Sequence, residues 1–295
     1  MGEIDITQGR LEEKADIFAD ICNVLMFNGE QIVLPEQLLE TGRTSQYKAD
    51  DGSIHQEDRD VAKYWQKGRV RISLIGLENQ IKSISYMPHR VIGYDGASYR
   101  SQILGDSPYE LYPVITLVLY FGMKHWNNPL SLSEEMIISD KLKPYFNDYK
   151  INLFEIAFLK PEQVALFKSD FREVADYFVQ KRTNGNYTPS KRTLKYVDEV
   201  LKFLAAISGD DRFISLKIPR EKGVVTMCDI VNGFVEQGIS QGISQGISQG
   251  EARTLIKCVE NLMKNKNLTA SEACEILGYE LSDYEAAKDV MLTKV

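Results

Sequence analysis

The chain reads as an α/β protein, a mixed central sheet flanked by helices and followed by a C-terminal helical tail. Three observations predict this. The run 70–77 begins by alternating apolar with polar residues and ends continuously apolar, the pattern of a strand entering a covered core. Two later runs, 112–121 and 151–159, are β-branched or aromatic and almost unbroken in apolar character, as strands buried on both faces are. Segments with apolar residues at helical spacing lie around them, which puts helices on either side of the sheet.

Taken in order, residues 11–27 predict a helix with Ile17, Ile21, Val24 and Leu25 on one face and Asn28-Gly29 as its stop. Asp16 and Asp20 are four apart, hence on one face together. The stretch 30–55, with Pro35, Gly42 and Asp50-Asp51-Gly52, predicts a loop with one short helical turn at 36–40. A long ordered loop in that place suits a lid or flap. Residues 60–65 fit two readings: a strand with Asp60, Ala62 and Tyr64 on one face, or a helix with Val61, Tyr64 and Trp65 as its buried stripe. Gly68 then turns the chain into the strand that ends on Glu78-Asn79-Gln80. A helix over 87–104 is entered through Pro88, with Val91, Ile92, Tyr99 and Ile103 as apolar members. After the two strands, helices are expected at 162–181 and 192–207, the second opened by Pro189-Ser190.

The tail carries a repeat, Gly238-Ile-Ser-Gln three times over and closed by Gly250. Each glycine opposes a helix by roughly 1 kcal/mol relative to alanine. Helix-favouring sequence nevertheless flanks both sides, so a continuous helix stands against a flexible linker. As a helix, the repeat lines glycines along a ridge beside isoleucines, which suits close approach of a second copy, a homodimer or higher oligomer formed through Gly238–Gly250. Two capped helical segments around Gly278 follow. The expected organisation is a main domain over 1–225, the repeat over 226–265 and a small helical module over 266–295.

Composition excludes several classes. With 43% hydrophobic and 26% charged residues, the 295-residue chain can bury a sizeable core. No apolar run reaches the length that spans a bilayer, and the acidic start Met-Gly-Glu-Ile-Asp is unlike a secretory leader. Cys22, Cys228, Cys258 and Cys274 have no Cys-x-x-Cys spacing and read as reduced thiols, so a cytoplasmic location is expected. His55, His89 and His125 lack zinc spacing, and neither a P-loop nor a Gly-x-Ser-x-Gly elbow occurs. The net charge of −7 is uneven: residues 61–235 hold 19 acidic and 24 basic side chains. Within 181–195, Lys181, Arg182, Lys191, Arg192 and Lys195 stand without an acid among them, either a phosphate-contacting surface or a solvated loop.

The chemistry centres on 58–80. Glu78 and Gln80 are two apart and leave one face of a strand; Asp60, preferred over its neighbours Glu57 and Asp58, would join them. Two carboxylates, an amide and the backbone carbonyl of Asn79 form an oxygen-rich set suited to Mg²⁺ or Mn²⁺.

This stretch resembles the active-site hairpin of the PD-(D/E)XK nucleases, with Gln80 where the parent motif has lysine. More closely, the chain resembles the recombination-promoting nuclease (Rpn) family, also labelled PD-(D/E)XK nuclease family transposase. The resemblance rests on Arg59-Asp-Val61, Gly76-Leu-Glu-Asn-Gln80, Met87-Pro-His-Arg-Val-Ile-Gly-Tyr94 and Tyr112 to Gly122, and covers roughly residues 10–235. It implies a restriction-endonuclease-like core and a Mg²⁺-dependent DNA endonuclease. Asp60, Glu78 and Gln80 would be catalytic, with the metal on Asp60, Glu78 and Asn79. It further implies an acid lent by the first helix, with Asp16 and Asp20 as candidates. Lys63 and, from the helix flanking the site, Arg90 and Arg100 join the basic 181–195 segment as candidate DNA contacts. The uncharged Gln80 leaves a second reading open, a catalytically degenerate nuclease fold that binds DNA or a partner and acts through its tail.

Overall fold

The computed structural model describes residues 11–41, 44–48, 54–104, 110–216 and 223–292, with backbone alone at 44–48, 54–58 and 104. The chain divides into two compact units, residues 1–228 and 229–295.

In the first unit, helix α1 (Ala15–Phe27) buries Ile17, Phe18, Ile21, Cys22 and Val24. It stops where Asn28 turns left-handed, φ 52°, and returns its N–H to the carbonyl of Asn23. Buried Asn23 also accepts the N–H groups of Ile32 and Val33 and donates to the Val33 carbonyl, which pins the outgoing chain. A 3₁₀ turn at Pro35–Gln37 leads into β1 (Leu38–Glu40), and β2 (Thr44–Lys48) pairs antiparallel with β3 (Ile54–Asp58). The expected loop over 30–55 therefore contains three short strands. The largely polar sequence of β2 and β3 and the shortness of β1 hid the pairing, which is made by backbone hydrogen bonds.

Residues 61–67 form a strand, β4 (Val61–Lys67), resolving the strand-or-helix ambiguity. Gly68, at φ +62°, makes the hairpin turn into β5 (Val70–Gln80), whose residues 73–79 are all buried. Helix α2 (Met87–Leu104) then returns the chain to β6 (Val114–Tyr120), parallel to β5. After the short α3 (Leu132–Glu135), β7 (Asn152–Glu155) lies parallel to β6. The second predicted strand is thus shorter than 151–159, because the chain tightens into a 3₁₀ turn at Ile156–Phe158. The main sheet runs β1-β4-β5-β6-β7, antiparallel over its first three strands and parallel beyond, the expected mixed sheet.

Helices cover both faces. On one, Met87 and Val91 of α2 pack with Val118 and Ile151, while Ala62, Leu74, Tyr112 and Val114 form a neighbouring cluster. On the other, Phe121 meets Phe171 and Phe178 at 6.4 and 5.1 Å between ring centres, and Phe203 at 5.7 Å. These rings come from α5 (Phe171–Asn184) and α6 (Val197–Ser208). The single helix expected at 162–181 is two, α4 (Pro161–Leu166) and α5, because Asp20 captures the N–H groups of Lys168 and Ser169 between them. Likewise α6 starts at Val197, later than expected. Ser190 instead donates to Glu173, and Thr193–Leu194 (β8) pairs with Val225–Thr226 (β9) across the short α7 (Arg212–Ser215).

The Gly-Ile-Ser-Gln tetrads lie inside one continuous helix, α8 (Met227–Lys266). In the second unit α9 (Ala270–Leu277) opens on a Thr269–Glu272 capping box, turns at Gly278 (φ +77°) and is followed by α10 (Leu281–Leu292). Val259, Ala273, Cys274 and Tyr284 form its small core. Among the described residues, no helix is long and apolar enough to cross a membrane.

Candidate functional site

Strand alternation in β5 sends Gly76, Glu78 and Gln80 to the α2 face and Leu77 and Asn79 to the opposite one. The ladder of β4 begins at Val61, paired with Leu77, so Asp60 stands just beyond it beside 78–79. Its carboxylate takes the backbone N–H of Asn79 at 2.6 Å. The sequence therefore brings Asp60, Glu78, Asn79 and Gln80 together through one hairpin and one side-chain capture.

A residue absent from the sequence expectations completes the cluster. Glu12 is fully buried in the helical residues 11–12, which a turn at 13–14 separates from α1, so that the helix expected over 11–27 is interrupted. It accepts a 2.6 Å hydrogen bond from the side chain of Asn79. The two acids expected from this region, Asp16 and Asp20, are engaged elsewhere. Asp16 is held by Lys195 at 2.6 Å and Tyr196 at 3.0 Å, and Asp20 caps the backbone at 168–169. Each joins α1 to a distant loop. The acidic Leu11-Glu12-Glu13 step gave no signal as to which glutamate turns inward, because its register depends on how the chain packs ahead of α1.

Electrostatically the site is crowded. Burial, then repulsion from Asp60, pushes the Glu78 carboxyl up to about 8, with Arg90 and Arg59 pulling the other way. Burial likewise pushes Glu12 up to about 8, opposed by the Asn79 hydrogen bond and reinforced by Asp60 and Glu78. One oxygen of each, Glu12 Oε1 and Glu78 Oε2, is buried without a hydrogen-bond partner, as is Asn79 Oδ1. The other Glu78 oxygen is well served: Arg90 reaches it at 2.7 Å and the Gln80 amide donates to it at 3.2 Å. Among the described residues, no three His, Cys, Asp or Glu side chains stand as a ready-made ligand set for an ion. The donors are hard carboxylate and amide oxygens of the kind such an ion takes, three of them buried without a hydrogen-bond partner, but Glu78 leaves one face of β5 while Asn79, with Glu12 on its side chain, leaves the other.

Behind the cluster lies a second network. Arg59, 4% exposed, pairs with Asp95 at 2.7 Å and donates to Ser98 at 3.0 Å. Asp95 also accepts from Thr116 at 2.7 Å and Tyr149 at 2.6 Å. Gly76 makes room for it: a Cβ there would stand 2.8 Å from the Arg59 side chain. This network ties the residue before Asp60 to α2 and β6.

The expected DNA contacts fare differently. Lys63 is 1% exposed, ion-paired with Glu40 and set over the Phe18 ring, so its ammonium is an internal counter-ion and not an exposed phosphate contact. Arg90 joins the carboxylates. Arg182 donates to the Ala157 carbonyl and covers the Phe158 ring, and Arg192 donates to the Lys168 carbonyl near Glu173. Arg100, Lys181 and Lys191 are exposed. The histidines are dispersed: His89 pairs with Glu135, His125 stacks on Phe158 with Nδ1 at 3.1 Å from Glu155, and the His55 side chain lies outside the described residues.

Compared with known proteins, the chain matches no family model, no curated protein and no solved structure.

Proposed function

We propose that the first unit is a divalent-metal-dependent phosphodiester hydrolase that cuts DNA, with Asp60 and Glu78 as its central pair. One observation carries the reading: Asp60, held on the Asn79 N–H, and buried Glu78 repel each other at the end of β5, and one Glu78 oxygen is buried without a hydrogen-bond partner. Buried like charges of this kind need a proton or a cation. Asp60, Glu78 and the backbone carbonyl of Asn79 would hold Mg²⁺ or Mn²⁺. When bound, the ion supplies polarisation of the phosphoryl oxygen and an acidified water. Gln80, anchored on Glu78, cannot take up a proton at neutral pH, so its part is to orient. The choice of DNA as substrate, and of the PD-(D/E)XK fold as the core, rests on the resemblance of the sequence blocks to the recombination-promoting nucleases.

The test is nicking of supercoiled plasmid in Mg²⁺. Asp60→Asn and Glu78→Gln are each expected to lower the rate at least ~100-fold. Equal cutting by both variants would overturn the assignment. A second reading, a nuclease fold that binds without cutting, draws on the uncharged Gln80 and on Arg90 already holding Glu78; it predicts DNA retention with no nicking in wild type.

The partner we propose for the second unit is another copy of this chain. In α8, Ile239, Ile243 and Ile247 are 57–59% exposed, and a Cβ on Gly238, Gly242, Gly246 or Gly250 would meet nothing within 4 Å. Helix–helix approach along that ridge would offset the glycine cost, roughly 1 kcal/mol per residue. Removing 236–295 is expected to yield a monomer by sedimentation while cutting persists.

A further inference from the structure

Two guanidinium groups neighbour Glu78, and they are built differently. Arg59 is 4% exposed and committed to Asp95 and Ser98, so it cannot leave its place without opening a buried network. Arg90 is 40% exposed. Its Nε donates to the Tyr94 hydroxyl at 2.6 Å, and a terminal nitrogen meets Glu78 Oε1 at 2.7 Å. That one oxygen also receives Gln80, whereas Glu78 Oε2 is buried and unpartnered. The more exposed of the two guanidinium groups therefore sits on the same carboxylate that the hydrolase reading gives to a metal.

We propose that Arg90 is a displaceable counter-ion: it holds Glu78 in the ion-free protein, and a divalent cation must push it off to be chelated there. The inference rests on the metal-dependent reading of this site. A guanidinium within contact of a carboxylate repels any second cation that approaches, and the repulsion strengthens in a partly dehydrated site. Binding of the ion and formation of the Arg90–Glu78 pair are thus antagonistic, and by linkage each weakens the other equally. Once displaced from Glu78, the guanidinium keeps its Nε bond to the buried Tyr94 hydroxyl, and its freed terminal nitrogens are able to receive the phosphate of a substrate. The bidentate, planar group suits both tasks, where a lysine would serve only as a point charge.

The experiment is calorimetric titration of Mn²⁺ into the full chain, comparing wild type, Arg90→Met, Arg90→Lys and Glu78→Gln, with circular dichroism confirming the fold of each. Arg90→Met is expected to bind Mn²⁺ about tenfold more tightly than wild type. Arg90→Lys, which keeps the charge, is expected to stay within about threefold of wild type, and Glu78→Gln to lose the binding heat. If Arg90→Met binds equally or more weakly while Glu78→Gln still abolishes binding, the displacement idea fails and the metal reading stands. If the heat is absent from wild type and Arg90→Met alike, or indifferent to Glu78, the metal reading itself fails. Should Arg90→Met not fold, an Arg90→Lys affinity tenfold tighter than wild type overturns the charge argument.

Discussion

The raised carboxyls make stability depend on pH in an unusual direction, and this can be measured without any substrate. Glu12 and Glu78 ionise near 4.5 when exposed but hold their protons to about 8 in the folded chain. Between those values the folded state binds more protons than the unfolded state, so stability falls as pH rises and is fully present only below about 4.5. One retained proton contributes ~1.4 kcal/mol per pH unit, or ~2.7 kcal/mol from pH 6 to pH 8. The two carboxyls lie in one another's field, so their protons do not add as two independent ones. We therefore expect the ion-free protein to lose about 2–4 kcal/mol over that interval, and Glu78→Gln to lose about half as much. Urea unfolding in the presence of a chelator reads this directly. Both tryptophans, Trp65 and Trp126, lie in the first unit, so their fluorescence reports that unit alone. Parallel pH curves for wild type, Glu12→Gln and Glu78→Gln would refute the reasoning, as would stability that climbs from pH 6 to 8.

Three further outcomes follow. Gly76→Ala puts a methyl 2.8 Å from the Arg59 side chain, which is buried and ion-paired, so a loss of about 1–3 kcal/mol in chemical unfolding is expected. Asp95→Leu leaves Arg59 buried without its partner and should cost about 3–5 kcal/mol, whereas Asp95→Leu combined with Arg59→Met should recover most of that stability. Gly242→Ala and Gly246→Ala have open space in α8; each should raise helix stability by about 1 kcal/mol in thermal melts, yet weaken self-association in sedimentation if the ridge is a contact between copies.

Much of this was legible in the sequence because it is local. The strand 70–80, the turn at Gly68 and the convergence of Glu78 and Gln80 on one face follow from period-two alternation, whereas 60–65 fitted a helix as well until its pairing with β5 decided it. The helix at 87–104 and the mixed sheet were equally accessible. What escaped depends on contacts distant in the chain. Glu12 joins the site through Asn79, 67 residues away, and nothing in its own neighbourhood distinguishes it from Glu13. Asp20, a candidate acid for the site, instead splits a predicted helix by capping residues 148–149 positions later. Lys63 looked like a phosphate contact because lysines usually face solvent, but β4 turns it inward against Glu40. Strands β2 and β3 were missed because polar strands carry no hydrophobic period, and β1 because three residues are too few to show one.

The central claim, that Asp60 and Glu78 share one divalent ion, is tested most directly by anomalous diffraction from a crystal soaked in Mn²⁺. The account predicts a single strong peak at the end of β5, about 2.1 Å from oxygens of both side chains, with the Arg90 guanidinium withdrawn from Glu78. A well-occupied peak that touches neither carboxylate, or a soaked crystal in which Arg90 still holds Glu78 and no peak lies beside it, would contradict the account.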